Sequence, residues 1–174
     1  MPPSVSLELL APRHVEDIEA LLDDPEILRF TRIPEPTPPG YASTWVARYE
    51  AGRTDGTREG FAAVAPDGAL LGLALAPDIN REGRELELGY LVAPEARGRG
   101  VATEILRLLT DWAFSELDAQ RAYLIIDLEN PASERVAVRC GYLREGVMRS
   151  LHVKQGIRRD ATLWSRLPTD PAPS

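Results

Sequence analysis

The chain has 174 residues, of which 44% are hydrophobic and 27% are charged, and its formal net charge is −7. This length suits one compact domain, and this composition excludes a chain that is disordered, collagen-like or a coiled coil throughout. Because nucleic acids and anionic membranes are bound through basic surfaces, the negative charge argues against both of these partners.

Side chains that bind metals are scarce. The chain has one cysteine, Cys140, and two histidines, His14 and His152, that lie far apart in the sequence. Neither an internal disulfide nor a metal site is expected from this set. Acidic residues interrupt the first 25 residues, unlike a signal peptide, and no apolar run approaches the roughly 18 residues of a membrane span. We therefore expect a cytoplasmic protein.

The first half of the chain predicts helices followed by antiparallel strands. Residues 6–10 form a strand candidate, and apolar residues recur at helical spacing from Val15 to Leu22 and again over Tyr41–Ala51. The acidic run 23–26 is interpreted as a solvated loop, and the proline-rich residues 33–40 as a second loop. Three strands are then expected at 61–65, 70–76 and 85–92, the first two joined by the turn residues Pro66, Asp67 and Gly68.

The second half alternates helices and strands. The clearest amphipathic helix covers residues 100–117, and a buried strand follows at 123–128. Asn130 and Pro131 are typical of a helix start, and Gly141 of a helix end. Two strands, 142–151 and 158–167, complete a mixed α/β (α+β) domain. We expect one domain over residues 1–167 and a flexible tail over 168–174.

The segment between the third of these strands and the long helix carries the clearest chemical signal. It reads Arg97-Gly98-Arg99-Gly100, and the helix begins immediately afterwards. Glycines allow a ligand to approach the backbone, and the first amides of a helix together with arginines bind anions such as pyrophosphate. A Walker loop is excluded, because it requires lysine after the last glycine and Val101 follows Gly100. A dinucleotide-binding fingerprint is excluded as well, because it requires glycine at position 103, which is Thr103. A plain turn solvated by arginines is the alternative.

Three ordered motifs and a closing strand resemble the GNAT superfamily of N-acetyltransferases. Residues 97–102 match its Arg/Gln-x-x-Gly-x-Gly/Ala signature. Residues 87–90 resemble the Glu-Ile-Gly-Tyr strand of the RimJ/RimL type, the ribosomal-protein N-terminal acetyltransferases. Residues 130–142 resemble the Asn-x-x-Ser-x-x-Val-Ala-x-x-x-Gly-Phe motif of that type, and 159–165 its closing strand. The resemblance covers about residues 5–167 and implies a single-domain GNAT fold with a mixed central sheet and helices on both faces.

The resemblance implies acetyl-CoA as the acetyl donor, with no metal. The loop and helix start would hold its pyrophosphate, and the end of the preceding strand would bind the pantetheine and the thioester carbonyl through backbone amides. Asn130 would contact the pantetheine arm or simply cap its helix, and Arg139 would reach the phosphates or remain solvated. The expected cofactor-binding residues are Leu91, Val92, Arg97, Gly98, Arg99, Gly100, Val101, Ala102, Asn130 and Arg139.

The resemblance also suggests the catalytic residues. Ser133 would protonate the departing thiolate, although it could instead cap the first turn of its helix. Many GNAT enzymes carry a tyrosine at the position of Ala137, so Ser133 would replace that acid. Glu87 is the expected base, either directly or through water, and its alternative is an outward-facing carboxylate. Tyr90, Glu85 and Trp45 are the expected acceptor-binding residues.

The predicted reaction is direct acetyl transfer to a primary amine in a ternary complex. The leading acceptor is a protein or peptide N-terminal α-amine, and the alternative is a polyamine or an aminoglycoside-like amine. The alternative from another functional class is a non-catalytic module that binds or senses acetyl-CoA. Ala137 is compatible with this alternative, because the tyrosine that acts as the acid in many GNAT enzymes is absent from that position. Acidic residues concentrate in the first 120 residues, which predicts an acidic acceptor region. A homodimer is left open.

Overall fold

The computed structural model describes residues 4–173. Seven strands form one mixed sheet in the order β1-β2-β3-β4-β5-β7-β6. The strands are β1 (Ser6–Leu9), β2 (Glu59–Val64), β3 (Leu70–Asn80), β4 (Glu85–Val92), β5 (Arg121–Asp127), β6 (Leu143–Lys154) and β7 (Ile157–Arg166). The helices are α1 (Val15–Leu21), α2 (Pro25–Phe30), α3 (Tyr41–Asp55), α4 (Val101–Ser115) and α5 (Pro131–Arg139).

The helices cover both faces of the sheet. Helices α1 and α3 pack together on one face, where α3 contacts β2, and α4 and α5 pack together on the other, where α4 contacts β3 and β4. The amphipathic pattern of α4 explains this placement, because its apolar residues Ile105, Leu106 and Leu109 are fully buried. Within the described residues, no helix is long and apolar enough to cross a bilayer.

Most predicted elements are confirmed, with ends that shift by a few residues. The turn between β2 and β3 forms as expected, since Ala65 N donates to Ala69 O at 2.9 Å. Strand β3 runs on to Asn80 because a register shift after Leu75 lets it continue along β4. After β7, Leu167 N donates to the Asp170 carboxylate at 2.8 Å, which forms a turn. The boundary between domain and tail stays a prediction.

The interpretation of residues 23–26 as a solvated loop is confirmed for the exposed turn residue Asp23 but is wrong from Pro25 onward, where helix α2 begins. Asp24 caps helix α2, since its Oδ1 accepts from Ile27 N at 2.9 Å, and Pro25 occupies the first helical position. Both residues are typical of a helix start. The helix has only six residues, too few to show an apolar period, but it buries Ile27 against the core. The short helix thus depends on its cap and on tertiary packing.

The sheet opens between β4 and β5. In the described part of the chain, these strands pair in parallel over three residues only, Glu85–Glu87 against Arg121–Tyr123. Beyond that point β4 stays paired with β3 as far as Val92, while β5 stays paired with β7 as far as Asp127. The two strands therefore diverge, and a V-shaped cleft forms in the middle of the sheet.

Strand β3 holds β4 unusually closely beside this cleft. A Cβ atom on Gly72 would lie 2.1 Å from the Leu91 carbonyl oxygen, far inside van der Waals contact. Because that oxygen belongs to the backbone of a paired strand, neither strand can move aside without breaking the ladder. Glycine at position 72 is therefore required for the path of β4 along the cleft.

We predict that Gly72→Ala lowers the free energy of unfolding by about 1–3 kcal/mol, the usual cost of forcing an extra methyl group into a packed site. Chemical denaturation followed by circular dichroism measures the change. Gly146→Ala is the matched control, because a Cβ on this strand glycine meets nothing within 4 Å. Equal stability losses in both variants would contradict the proposed close approach.

Candidate active site

A cavity of about 850 Å³ fills the space between the diverging strands and reaches both faces of the sheet. The starts of α4 and α5 line one end, which we call the cofactor end. Helices α2 and α3 and the loop between them line the other, which we call the acceptor end. Six arginines and three carboxylates from the described residues border the whole cavity. Its two ends therefore present different chemistry to a ligand.

The start of α4 fits a diphosphate. Gly98 and Gly100 precede the helix with φ angles of 71° and 81°, a left-handed backbone that glycine adopts without strain. Gly100 is the N-cap, and no side chain in residues 4–173 caps the first amides of the helix. Gly98, Gly100, Val101 and Ala102 line the cavity, and their binding of a cofactor stays a prediction. Free amides at a helix start bind anions such as pyrophosphate.

The two arginines of this loop are placed differently, since Arg97 lines the cavity and Arg99 does not. Arg97 contacts the Asp24 carboxylate at 2.6 Å and the Glu26 carboxylate at 3.0 Å, and so ties α2 to the loop. Its hydrogen bond holds the pKa of Asp24 below the usual range. Arg99 is exposed and lies outside the lining of the cavity. Arg97, one of the arginines predicted to bind the cofactor phosphates, is therefore already paired with two carboxylates.

Helix α5 supplies further cations at the cofactor end. Arg139 lines the cavity, and its Nε donates to Thr103 Oγ1 at 3.2 Å, which links α5 to the first turn of α4. Arg135, which the sequence did not single out, lines the same end one turn earlier. Arg135 precedes Arg139 by four residues, and this spacing places the two side chains on the same face of the helix, which is the pattern that could have identified Arg135 from the sequence. Both guanidinium groups are suited to phosphate oxygens.

The exposed edge of β4 carries free backbone amides. Ala93 N donates to Leu71 O on β3 at 2.9 Å. Because donors alternate along an antiparallel strand, the Leu91 amide also faces β3, and the amides of Tyr90 and Val92 face the cleft. The latter two amides have lost β5 as a partner and are placed to hold a carbonyl oxygen that gains negative charge.

Helix α5 begins at the wall of the cleft. Asn130 caps it, since its Oδ1 accepts from Ser133 N at 3.1 Å, which confirms the predicted N-cap. Ser133 Oγ lies 2.8 Å from Tyr90 Oη, and both side chains line the cavity. Burial raises the pKa of Tyr90 to about 12, and the hydrogen bond with Ser133 counteracts part of that rise. Tyr90 was expected in the acceptor groove, but its hydroxyl faces the cofactor end.

Glu87 lies on the opposite side of the sheet from Tyr90. Side chains alternate along a strand, so residues three apart face opposite ways. Burial raises the pKa of Glu87 above its usual range, while Arg32, at 3.9 Å from the carboxylate, counteracts the rise. Glu87 lines the cavity at the acceptor end beside Tyr49. A half-buried carboxylate in this position can accept a proton from an amine.

Arginines dominate the rest of the acceptor end. Arg32, Arg48 and Arg58 line it, and neither Arg48 nor Arg58 forms an ion pair with any of the residues described. The aliphatic part of Arg58 packs on Gly52 of α3, where a Cβ would come within 2.5 Å of it. The predicted acidic acceptor region is thus not formed at this end of the cavity.

Two predicted acceptor residues behave differently from each other. Trp45 lines the acceptor end, where it is largely buried and packs between a tilted Tyr41 ring and an edge-on Tyr49 ring at centroid distances of 6.2 and 6.1 Å. Glu85 lies outside the cavity lining and forms an ion pair with Arg121 at 3.1 Å. This carboxylate therefore joins β4 to β5 where the strands still pair.

The thiol of Cys140 does not line the cavity. Cys140 is fully buried, and burial raises its pKa to about 11. Such a thiol is a poor nucleophile at neutral pH. Ala137 is also fully buried, one turn beyond Ser133 on α5. Between residues 4 and 173, no three metal-binding side chains come together.

Comparison with known families identifies the fold. The family model described as "Acetyltransferase (GNAT) domain" matches residues 5–143. The chain belongs to the GNAT acetyltransferase family. The matched segment contains the elements that form the cleft, namely β4, the start of α4 and all of α5.

Curated GNAT relatives differ in the acceptor that their names give. The chain is 33% identical to "Putative ribosomal N-acetyltransferase YdaF" of Bacillus subtilis over 101 residues, 58% of this chain and 55% of the relative. It is 34% identical to spermidine N(1)-acetyltransferase of Escherichia coli K12 over 80 residues, 46% and 43% of the two chains. The chain spans about half the length of the curated relatives it matches. The RimJ/RimL subtype stays a prediction.

Solved structures confirm the predicted GNAT fold. Spermidine N-acetyltransferase from Vibrio cholerae, solved with CoA and spermine, superposes with a TM-score of 0.84 at 23% identity over 95% of this chain and 96% of that one. Microcin C7 self immunity acetyltransferase MccE, solved with acetyl-CoA and AMP, gives 0.84 at 17% identity over 94% and 92%. At these identities the likeness concerns the fold.

We predict that Asp24→Asn lowers the free energy of unfolding at pH 7 by about 1 kcal/mol, the upper value for an accessible ion pair. Asparagine keeps the helix cap, so the loss reports the pairing with Arg97. The pKa of Asp24 is lowered in the folded state, so this stability is present above the unfolded pKa and is lost as pH falls through the folded one. Denaturation at pH 7 and at pH 3 should show the difference shrinking; a difference independent of pH would contradict the ion pair.

Proposed function

We propose that this protein transfers the acetyl group of acetyl-CoA to the α-amine at the N-terminus of a peptide or protein. One observation carries the proposal: the cleft passes through the sheet, with an anion-binding helix start and Ser133 on one side and the half-buried Glu87 on the other. A donor bound at one end and an amine bound at the other would meet where β4 and β5 diverge.

The cofactor end fits acetyl-CoA in its charge and in its hydrogen-bond donors. When bound, acetyl-CoA supplies the acetyl group as a thioester. The uncapped amides of α4 and the guanidinium groups of Arg135 and Arg139 would hold its phosphates, and the amides of Tyr90 and Val92 would hold the thioester carbonyl. Asn130 keeps its amide nitrogen for the pantetheine arm while its oxygen caps α5.

Glu87 is the proposed base. An α-amine with a pKa near 8 loses a proton at pH 7 at a cost of about 1.4 kcal/mol, whereas a lysine near 10.4 costs about 4.6 kcal/mol. Burial raises the pKa of Glu87 toward that of the α-amine, which brings the proton affinities of the two groups closer. A single carboxylate, directly or through one water, is therefore adequate for an α-amine.

Ser133 is the proposed acid. Its hydroxyl lies at the cofactor end, where the sulfur of a bound thioester would be released as a thiolate. A thiol pKa near 8.5 makes the thiolate a fair leaving group, so a positioned hydroxyl is sufficient. The buried Cys140 offers no acyl carrier, which favours direct attack by the amine in a ternary complex.

The arginines at the acceptor end favour a peptide over a polyamine. Arg48 and Arg58 lack carboxylate partners in the described structure, and Arg32 is the third cation beside them. A polyamine carries several positive charges and would be repelled there. A peptide brings one positive charge at the reacting amine, and its carbonyl groups or acidic side chains suit guanidinium donors.

Polyamine acetylation is the second candidate. Two kinds of observation favour it: the spermidine acetyltransferases of Escherichia coli and Vibrio cholerae are among the curated relatives, and one solved structure of similar fold holds spermine. A module that binds acetyl-CoA without catalysis is the alternative of another class, since Ala137 lacks the phenol found in many GNAT enzymes.

One assay separates these candidates. The protein is incubated with acetyl-CoA and with peptides, spermidine or an aminoglycoside, and both free thiol and acetylated amine are measured. The proposal expects acetylated peptide α-amines. Faster acetylation of spermidine would favour the second candidate. Binding of CoA with no acetylated amine in any arm would overturn the enzymatic proposal.

We predict that Glu87→Gln lowers kcat/KM about 10²- to 10⁴-fold, the range that general bases contribute. In the wild type, kcat/KM should fall as pH drops through the raised pKa of Glu87, because the protonated carboxyl cannot accept a proton. Arg32 lowers that pKa, so Arg32→Gln should move the acidic limb of the profile to higher pH. A limb that stays in place in the Arg32 variant would argue that another group is titrating.

We predict that Arg58→Gln reduces the preference for acidic over basic peptides about tenfold, as expected for the loss of one charged hydrogen bond. The measurement is kcat/KM for peptides that differ only in aspartate, alanine or lysine at the second position. Arg144→Gln is the matched control, since Arg144 is exposed on β6 outside the cavity. An unchanged preference in the Arg58 variant would contradict an arginine-lined acceptor end.

A further inference from the structure

We propose that Tyr90 and Ser133 act as one proton-donating pair, in which Tyr90 Oη replaces the proton that Ser133 Oγ gives to the departing sulfur. The inference rests on the proposed acetyl transfer and adds to it a residue that the motif comparison did not assign to catalysis. Its geometric basis is the distance of 2.8 Å between the two hydroxyl oxygens, inside the cavity and at its cofactor end.

The fold brings these residues together from distant parts of the sequence. Tyr90 lies on β4, three residues beyond the last pair with β5, so β5 no longer covers it on that side. Ser133 lies in the first turn of α5, which starts just after β5 ends. The divergence of the strands thus leaves the phenol free to reach across the cleft to α5.

Ser133 does not use its hydroxyl to cap the helix. Asn130 holds that role through the Ser133 backbone amide, at 3.1 Å. The one hydrogen-bond partner of Ser133 Oγ within residues 4–173 is Tyr90 Oη. The hydroxyl has a second lone pair and a rotatable proton, and it can therefore donate to a ligand while it accepts from the phenol.

A serine hydroxyl is sufficient to protonate the thiolate, but a phenol is a much stronger acid than an aliphatic hydroxyl, even with the Tyr90 pKa raised to about 12 by burial, so Tyr90 can restore the serine proton. In many GNAT enzymes a tyrosine on the helix equivalent to α5 would supply that group, but Ala137 stands there and is fully buried. Tyr90 reaches the same helix from the sheet. Arg139 favours the phenolate electrostatically, although burial has the larger and opposite effect on the Tyr90 pKa.

These groups account for every proton that moves during the acetyl transfer. A bond forms between the amine nitrogen and the acetyl carbon, and the bond between that carbon and sulfur breaks. Glu87 takes the proton lost by the amine. Ser133 Oγ gives its proton to sulfur and takes one from Tyr90 Oη. As the products leave, Glu87 releases its proton to solvent and the phenolate takes one from solvent, so both groups return to their starting states. No oxidant or further reactant is required.

The test compares Tyr90→Phe, Ser133→Ala and the double variant with a matched control. Tyr142→Phe is that control: its hydroxyl is also buried and bonded to a hydroxyl, Thr110 Oγ1, at 2.7 Å, but it lies outside the cavity. We expect each single variant of the pair to lower kcat about 10- to 100-fold and the double variant to lower it no further, because residues that act as a unit are not additive. Tyr142→Phe should retain wild-type kcat.

Two measurements do not depend on turnover. Calorimetry should give the same Kd for acetyl-CoA in the wild type and Tyr90→Phe, within about twofold, because the phenol acts on the proton and not on binding. Ultraviolet titration of the free protein, taken as the difference between wild type and Tyr90→Phe, isolates the Tyr90 phenolate. Ser133→Ala should shift that titration to higher pH, because the hydrogen bond from Ser133 lowers the pKa of Tyr90.

The outcomes that overturn the pair are distinct from those that overturn the function. Wild-type kcat in Tyr90→Phe, or effects of the two single variants that multiply in the double variant, would contradict the pair while acetylation stands. If Tyr90→Phe does not fold, Ser133→Thr decides, since it keeps a hydroxyl and should retain most activity whereas Ser133→Ala does not. Absence of amine acetylation by the wild type would contradict the proposed function itself.

Discussion

The short pairing between β4 and β5 is the constraint on which the site depends. Three residues pair, and the following backbone of β4 gives up hydrogen bonds that a continuous sheet would supply. Backbone groups inside a protein need partners, so the free amides of Tyr90 and Val92 form a ready site for a carbonyl ligand. The same gap joins the two faces of the sheet, and this is why Glu87 and Tyr90 can serve one cavity although they point in opposite directions.

The neighbouring elements keep this gap rigid. Strand β3 holds β4 through the close approach at Gly72, and β7 holds β5 along six residue pairs. At the cofactor end, the hydrogen bond between Arg139 and Thr103 fixes α5 against α4. The ion pair of Arg97 with Asp24 joins the loop before α4 to α2 at the acceptor end. Both ends of the cavity are therefore held by contacts between the elements that line it.

Local signals were sufficient for most of the fold. The glycine turn before α4, the Asn130 cap and the alternation in β4 each lie within a few residues, and the structure has each of them. Helix α2 was missed because six residues are too short for a period, although its Asp24 cap and Pro25 were visible. Contacts between distant segments were beyond reach: no local pattern indicates that Arg97 pairs with the carboxylate of Asp24, 73 positions away.

Local motifs and periodicities were enough for the family resemblance, for the order of elements apart from helix α2, and for the glycine-containing turn that begins α4. Which side chains share the cavity depends instead on the tertiary fold. It placed Arg48 and Arg58 at the acceptor end, withdrew Glu85 to an ion pair with Arg121, and joined Tyr90 to Ser133 across 43 positions of sequence. The physical reason is that side-chain contacts follow from how strands diverge and helices pack, and neither is encoded in the spacing of any single segment.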